Sequence, residues 1–103
     1  MVKLVVAYRP PTDPEEFERR YRDEHVALAE RVPHLARLAL GKVAGTAGGG
    51  DAPYVRIAEL FFEDEATLGQ AFGSEDGQAA SKHAVEIATG GLDLMIVQVE
   101  RDA

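Results

Sequence analysis

The residues best suited to proton chemistry stand close together, at Tyr21, Glu24 and His25. An imidazole ordinarily titrates near neutrality, so small environmental changes let His25 take or give a proton. Tyr21 precedes it by four residues, one helical turn, which lets phenol and imidazole lie side by side. Glu24 is placed to polarise a partner or to act as a base itself. Beside an apolar cavity such a trio suits enolisation, proton shuffling or aldol-type ring closure on an aromatic or lactone substrate. A structural reading stands next to this one. In it His25 is a buried helix histidine bonded to a backbone carbonyl, and Tyr21 is a core residue with its hydroxyl at the rim.

The element that must position the trio is a helix over residues 14–32, PEEFERRYRDEHVALAERV. Asp13 is the cap, Pro14 suits the first helical position, and Glu16 completes a capping box. Pro33 ends the helix by disfavouring helical geometry at Val32. At α-helical spacing Phe17, Tyr21, Leu28 and Val32 fall within about 60° of one another, an apolar stripe facing a core. Glu24 and His25 then lie at the two edges of the stripe, about 20° outside it, and Val26 lies opposite. Glu15 with Arg19, Glu16 with Arg20, and Glu18 with Arg22 form i,i+4 pairs on a solvated face.

Other candidates carry less. His34 follows Pro33 at the mouth of a strand and reads as a solvated loop residue. His83 stands among Ser81, Lys82 and Glu86 and reads as exposed. Tyr8, Tyr54 and Arg56 sit on strands with either face assignment open. The three histidines lack metal-ligand spacing, which argues against a dedicated metal site. An axial histidine needs no motif, so haem on a lone His25 stays open. Gly48, Gly49 and Gly50 are not a phosphate loop, since no GK[ST] and no helix follow.

Composition narrows the classes. The 103 residues carry a net charge of −7, with no cysteine and no tryptophan. One domain over 1–103 is expected. The acidic balance and scattered Lys and Arg argue against nucleic acid, and few aromatics are available for base stacking. No apolar run approaches a membrane span and the N-terminus lacks a cleavage pattern, so a cytoplasmic protein is expected.

Taken in order, residues 2–9, 34–44, 54–62 and 92–100 read as strands. Residues 64–72 and 74–88 read as helices capped by Asp64 and Ser74, and the glycine-rich stretch 45–52 reads as a loop. The order β-α-β-β-α-β is the ferredoxin-like α+β arrangement, a four-stranded antiparallel sheet with its helices on one face. A sheet with one wet face should alternate apolar and polar residues. Here Val2, Leu4, Val6 and Tyr8 oppose Lys3, Val5, Ala7 and Arg9, Ala58, Leu60 and Phe62 oppose Val55, Ile57 and Phe61, and Leu92, Leu94 and Ile96 oppose Met95, Val97 and Val99. Both faces are apolar near the middle. A second copy covering the uncovered face would give a homodimeric eight-stranded barrel.

The chain resembles the EthD family of the dimeric α+β barrel superfamily. The resemblance is carried by the VKLVVAYRPP opening and by PEEFERRYRDEHVAL with Phe17, Tyr21, Glu24 and His25. It continues through PHLARL, IAELFFEDEATLGQAF, SEDGQAA and ATGGLDLMIV. It implies a dimeric barrel with a pocket in each subunit between sheet and helices, and it makes His25 the hallmark of the helix. The family often has a Trp beside the aromatic position, whereas Arg22 follows Tyr21 here and makes the pocket more polar at that point. The superfamily includes cofactor-free monooxygenases, polyketide cyclases, muconolactone isomerases and haem-handling enzymes. The resemblance implies no single reaction. Three classes follow: a cofactor-free enzyme with His25 as acid/base and Tyr21 and Glu24 in support, a binding or accessory protein for a small apolar ligand, and haem handling.

Overall fold

β-branched and aromatic residues make the four strands, because such side chains pack well on a pleated, half-buried surface. In the computed structural model, which describes residues 1–102, these are β1 (Val2–Tyr8), β2 (Arg37–Lys42), β3 (Arg56–Phe62) and β4 (Leu92–Gln98). They form one antiparallel sheet in the order β2-β3-β1-β4. The ferredoxin-like reading therefore holds. Strand two starts at Arg37 rather than 34, because His34 takes a left-handed turn (φ 65°) directly after Pro33. The glycine-rich stretch before β3 has no regular structure.

The helices cover one face. Val2, Val6 and Tyr8 of β1 and Ala58, Leu60 and Phe62 of β3 form the core floor beneath Phe17, Tyr21, Leu68, Ala71, Ala80 and Ile87. The helices begin where their caps say. Asp13, Asp64 and Ser74 accept from the backbone N–H of Glu16, Thr67 and Gly77, satisfying donors that the first turn leaves free. These caps start α1 (Pro14–Arg20), α3 (Glu65–Gly73) and α4 (Glu75–Ile87). The joint between α3 and α4 requires Gly77, since a Cβ there would run into the Ala71 carbonyl.

The long first helix differs from its expected form. Between α1 and α2 (Val26–Glu30) lies a π-helical turn, Tyr21–His25. The Val26 N–H bonds to the Tyr21 carbonyl, five residues back. In an unbroken α-helix, a spacing of four drifts about 40° per step around the axis. The wide turn absorbs that drift, so Phe17, Tyr21, His25 and Ala29 all end up buried. His25 thus moves from the edge of the stripe into it. Val26, expected opposite, packs partly against the core, and Leu28 is only half-buried.

Two further expectations are corrected. The i,i+4 pairs from Glu15, Glu16 and Glu18 do not form. Arg19 pairs with Glu16, Arg20 reaches forward to Glu24, and Glu18 leaves the helix surface to bind Arg56 of β3. The uncovered sheet face is also more mixed than its pattern suggests. Val5, Ile57, Phe61 and Val97 share it with a Lys3–Glu59 ion pair at 2.6 Å, and the Arg37 guanidinium lies 3.8 Å from the Phe61 ring centroid. Among the described residues no helix is long and apolar enough to cross a membrane.

Candidate functional site

The strand register builds a cavity floor. Leu40, Ala58, Val6 and Leu94 form one row across all four strands. The small Ala58 in that row leaves room beneath the helices. The resulting cavity, about 100 Å³, is walled by Leu4, Leu60, Leu92, Ala29, Ala80 and Ala84, with Tyr8, Tyr21 and His25 on its wall. Leu40, Val85 and Leu94 line it while remaining exposed, which marks its open sides. The surroundings are nearly all hydrocarbon, so the few polar groups present set what it holds.

Those polar groups form a chain. Tyr8 Oη lies 3.2 Å from His25 Nε2, His25 Nδ1 lies 2.9 Å from His83 Nδ1, and His83 Nε2 lies 2.9 Å from Glu24 Oε1. The two imidazoles are nearly parallel, 11° apart in plane with centroids 5.1 Å apart. Glu24 also accepts from Arg20 Nε at 3.0 Å, with Arg19 at 3.6 Å. The His83 hydrogen bond and then the Arg20 hydrogen bond hold the Glu24 carboxyl below its usual range. Glu24 is therefore a carboxylate that only accepts, which places a proton on His83 Nε2. In a neutral His83 the Nδ1 accepts, so His25 carries its proton on Nδ1 and offers a bare Nε2 to the Tyr8 hydroxyl. Burial keeps that phenol protonated by raising its pKa far above the usual value.

His25 is 7% exposed, and burial, followed by the neighbouring His83, lowers its pKa to about 4. A consequence for stability follows. Above the unfolded value of about 6.5 the residue is neutral in both states and costs nothing. As the pH falls toward 4 the unfolded chain takes a proton that folded His25 refuses, so stability falls by about 3 kcal/mol across that window and then levels. Urea melts of wild type and His25→Gln between about pH 6.5 and 5 check this, a range above the titration of ordinary carboxylates. Equal slopes in the two proteins would remove the assignment.

Tyr21 is packed between layers. Its ring stands 5.6 Å from those of Tyr8 and His25, and the Arg56 guanidinium lies 4.8 Å over it, held by Glu18 at 2.9 Å. Its hydroxyl is buried and has no hydrogen-bond partner among the described residues. Burial raises its pKa, partly opposed by Arg56.

Of the residues singled out in the sequence, Tyr21 and His25 reach the cavity, while Glu24 stands behind them and is absent from its wall. His25 does not bond to a backbone carbonyl; both its ring nitrogens face side chains. His83 is corrected outright. Its side chain is 11% exposed and joins the chain of hydrogen bonds. A helical wheel over 75–87 holds the signal, since His83 falls beside Ile87 and Ala80 on the buried side. Tyr8 resolves to the inner face, whereas Tyr54 donates to Asp93 at 2.7 Å and Arg56 binds Glu18. His34 is exposed and apart from the site. No cluster of three or more His, Cys, Asp or Glu able to hold a metal occurs among the described residues. Haem ligation would require His25 Nε2 to give up its Tyr8 contact and the cavity, about 100 Å³, to open much further.

Comparison with known proteins agrees with this architecture. An uncharacterized 11.0 kDa protein from the thcB–thcC intergenic region of Rhodococcus erythropolis is 34% identical over 100 residues, covering 97% of this chain and 96% of its own. The crystal structure of an ethyl tert-butyl ether D (EthD) family protein from Bacillus halodurans superposes with a TM-score of 0.89 at 30% identity, covering 95% of this chain and 97% of that one. A dimeric ferredoxin-like protein of unknown function from Jannaschia sp. shares the fold, with a TM-score of 0.71 at 17% identity over 95% of this chain and 98% of that one. The EthD domain model matches residues 9–89, which hold β2, β3, all the helices and the hydrogen-bonded pair of histidines, and the chain belongs to the EthD family.

Proposed function

We propose that this protein is a cofactor-free acid/base enzyme of the isomerase, cyclase or monooxygenase type, acting on a small hydrophobic cyclic substrate held between sheet and helices. The observation that carries this reading is the bare Nε2 of His25 on the wall of an apolar cavity, with Nδ1 anchored through His83 to a carboxylate. A base anchored at one nitrogen, with its other lone pair met only by the Tyr8 hydroxyl that a substrate can displace, is oriented for proton abstraction. Tyr21 lines the same cavity with an unpartnered hydroxyl, so it is the donor left for a substrate oxygen that gains charge. Glu24 supports from behind by fixing the tautomers. A π-helical turn at this place supports the reading, since such turns recur at functional sites.

The test is exchange of carbon-bound hydrogen with deuterated water, followed by NMR on cyclopentanone, 2-indanone and α-angelica lactone. The wild type should accelerate exchange for at least one compound, and His25→Ala should lose that acceleration. A second reading is a non-catalytic binder or accessory protein, favoured by the cavity being small and nearly all hydrocarbon. It predicts a raised melting temperature with bound compound and no exchange.

The reading includes a homodimer joined through the uncovered sheet face, where Val5, Ile57, Phe61 and Val97 lie. Sedimentation at low micromolar protein should give about twice the mass of one chain, as an interface covering a sheet face implies. A single species of one-chain mass at that concentration would remove the barrel.

A further inference from the structure

The three hydrogen bonds from Tyr8 to Glu24 are satisfied by two proton arrangements, and these differ by one proton. In the first, both imidazoles are neutral and every donor points toward Glu24. In the second, His83 carries protons on both nitrogens. Its Nδ1–H then donates to a bare His25 Nδ1, and His25 holds its own proton on Nε2, facing the cavity. We propose that His83 is the outlet of a two-imidazole proton relay, so that a proton taken at His25 Nε2 ends as a His83 imidazolium against Glu24. The inference rests on the acid/base reading above and deepens it.

The step balances without a further reactant. The Tyr8 O–H turns away from His25 Nε2, a ligand C–H or O–H bond breaks, and its proton goes to that Nε2 while the electron pair stays on the ligand. The His25 Nδ1–H bond breaks in turn, and that proton goes to His83 Nδ1. His25 ends neutral, with its Nε2–H turned toward the new ligand anion, and the positive charge sits one ring further out. The gain is electrostatic. A charged His25 would be desolvated in an apolar wall, whereas His83 lies against a carboxylate whose side chain is 37% exposed.

The groups facing His83 come from each packed element. His25 and Glu24 lie on the first helix. Behind Glu24 stand Arg20 and Arg19, and Arg20 also reaches Glu86 of α4 at 3.5 Å. Tyr8 of β1 lies beyond His25, with Tyr21 beside it. The arginines weaken the carboxylate's pull on His83, and Glu86 offsets part of their effect. Since His83 does not touch the cavity, it is a positioning residue that acts through His25.

The experiment is long-range 1H–15N NMR of histidine-labelled protein over a titration spanning the range where imidazoles change charge. At the alkaline end His25 should be protonated on Nδ1 and His83 on Nε2. As the pH falls, His83 should gain its second proton, and in the same step His25 should cross to the Nε2–H tautomer while staying neutral. In Glu24→Gln the two changes should still occur together in one step. In His83→Gln the His25 tautomer should stay fixed, and exchange into the compound that the wild type accelerates should fall in kcat with KM unchanged. The proposal is overturned if His25 keeps Nδ1–H while His83 titrates, or if His25 takes the second proton first. The wild-type and Glu24→Gln titrations decide this even if His83→Gln does not fold. Exchange that needs His25 without a tautomer crossing would remove the relay and leave the enzymatic reading. A crossing with no exchange in any compound would keep the coupled pair and remove that reading.

Discussion

Phe17→Ala should destabilise the fold by about 3–5 kcal/mol, the range for emptying a buried aromatic site. Phe17 is 4% exposed and packs against the rings of Tyr8 at 5.4 Å and Tyr21 at 5.7 Å. The hole would open under the two phenols that flank the cavity, and few neighbours there can collapse into it without moving one of them. Domains are stable by only about 5–15 kcal/mol, so one such change removes a large share of the margin. The neighbours on the helix rank below it. Val26 and Leu28 are half-buried, and Val26→Ala should cost about 1 kcal/mol, from two methyl groups partly removed from water. An α-helical wheel would place Val26 opposite the core and make its loss nearly free. Urea denaturation of the three variants separates the two geometries. If Val26→Ala were silent while Leu28→Ala matched Phe17→Ala, the helix would run without its wide turn, and His25 would sit at the rim.

What the sequence makes legible is mostly local. Asp13, Asp64 and Ser74 announce helix starts because a cap needs only its own side chain and the next three residues. β-branched runs announce strands, and β-α-β-β-α-β order leaves few topologies to choose from. The partners of Glu18 are illegible for the opposite reason. Arg56 lies 38 residues away on another layer, and its two hydrogen bonds replace a helical pair that spacing alone suggests. The wide turn at Tyr21–His25 has no propensity signature, so every angle beyond it is misjudged by a wheel that assumes one period. Half of the site follows from this. Tyr21 and His25 stand out by type and spacing within a single helix, whereas His83 comes from 58 residues further on and gains its meaning only from packing. Beside Lys82 and Glu86 it looks solvated, and its burial shows only when the small residues Ala80 and Ala84 are seen to face the first helix across the cavity.

His25→Ala should lower the rate of deuterium exchange by about 100- to 10,000-fold, the contribution of one positioned acid/base group. Reading that loss requires care, because the residue is also structural. It is the hydrogen-bond partner of a buried Tyr8 hydroxyl and of His83. Removing it leaves both without that contact, at a cost of about 1–3 kcal/mol for each buried group left unpaired. Stability and catalysis therefore fall together in this variant, and an unchanged melt is not expected. The two contributions separate when rates are taken per folded molecule, well below the variant's melting temperature. His25→Gln sharpens the separation. The amide can still accept from Tyr8 on one side and donate on the other, so part of the stability should return. It cannot take a proton at neutral pH, so the exchange rate should not. Recovery of rate along with stability in His25→Gln would mean that the imidazole is a strut and that the proton is taken elsewhere on the cavity wall. Recovery of stability alone assigns the chemistry to His25 Nε2.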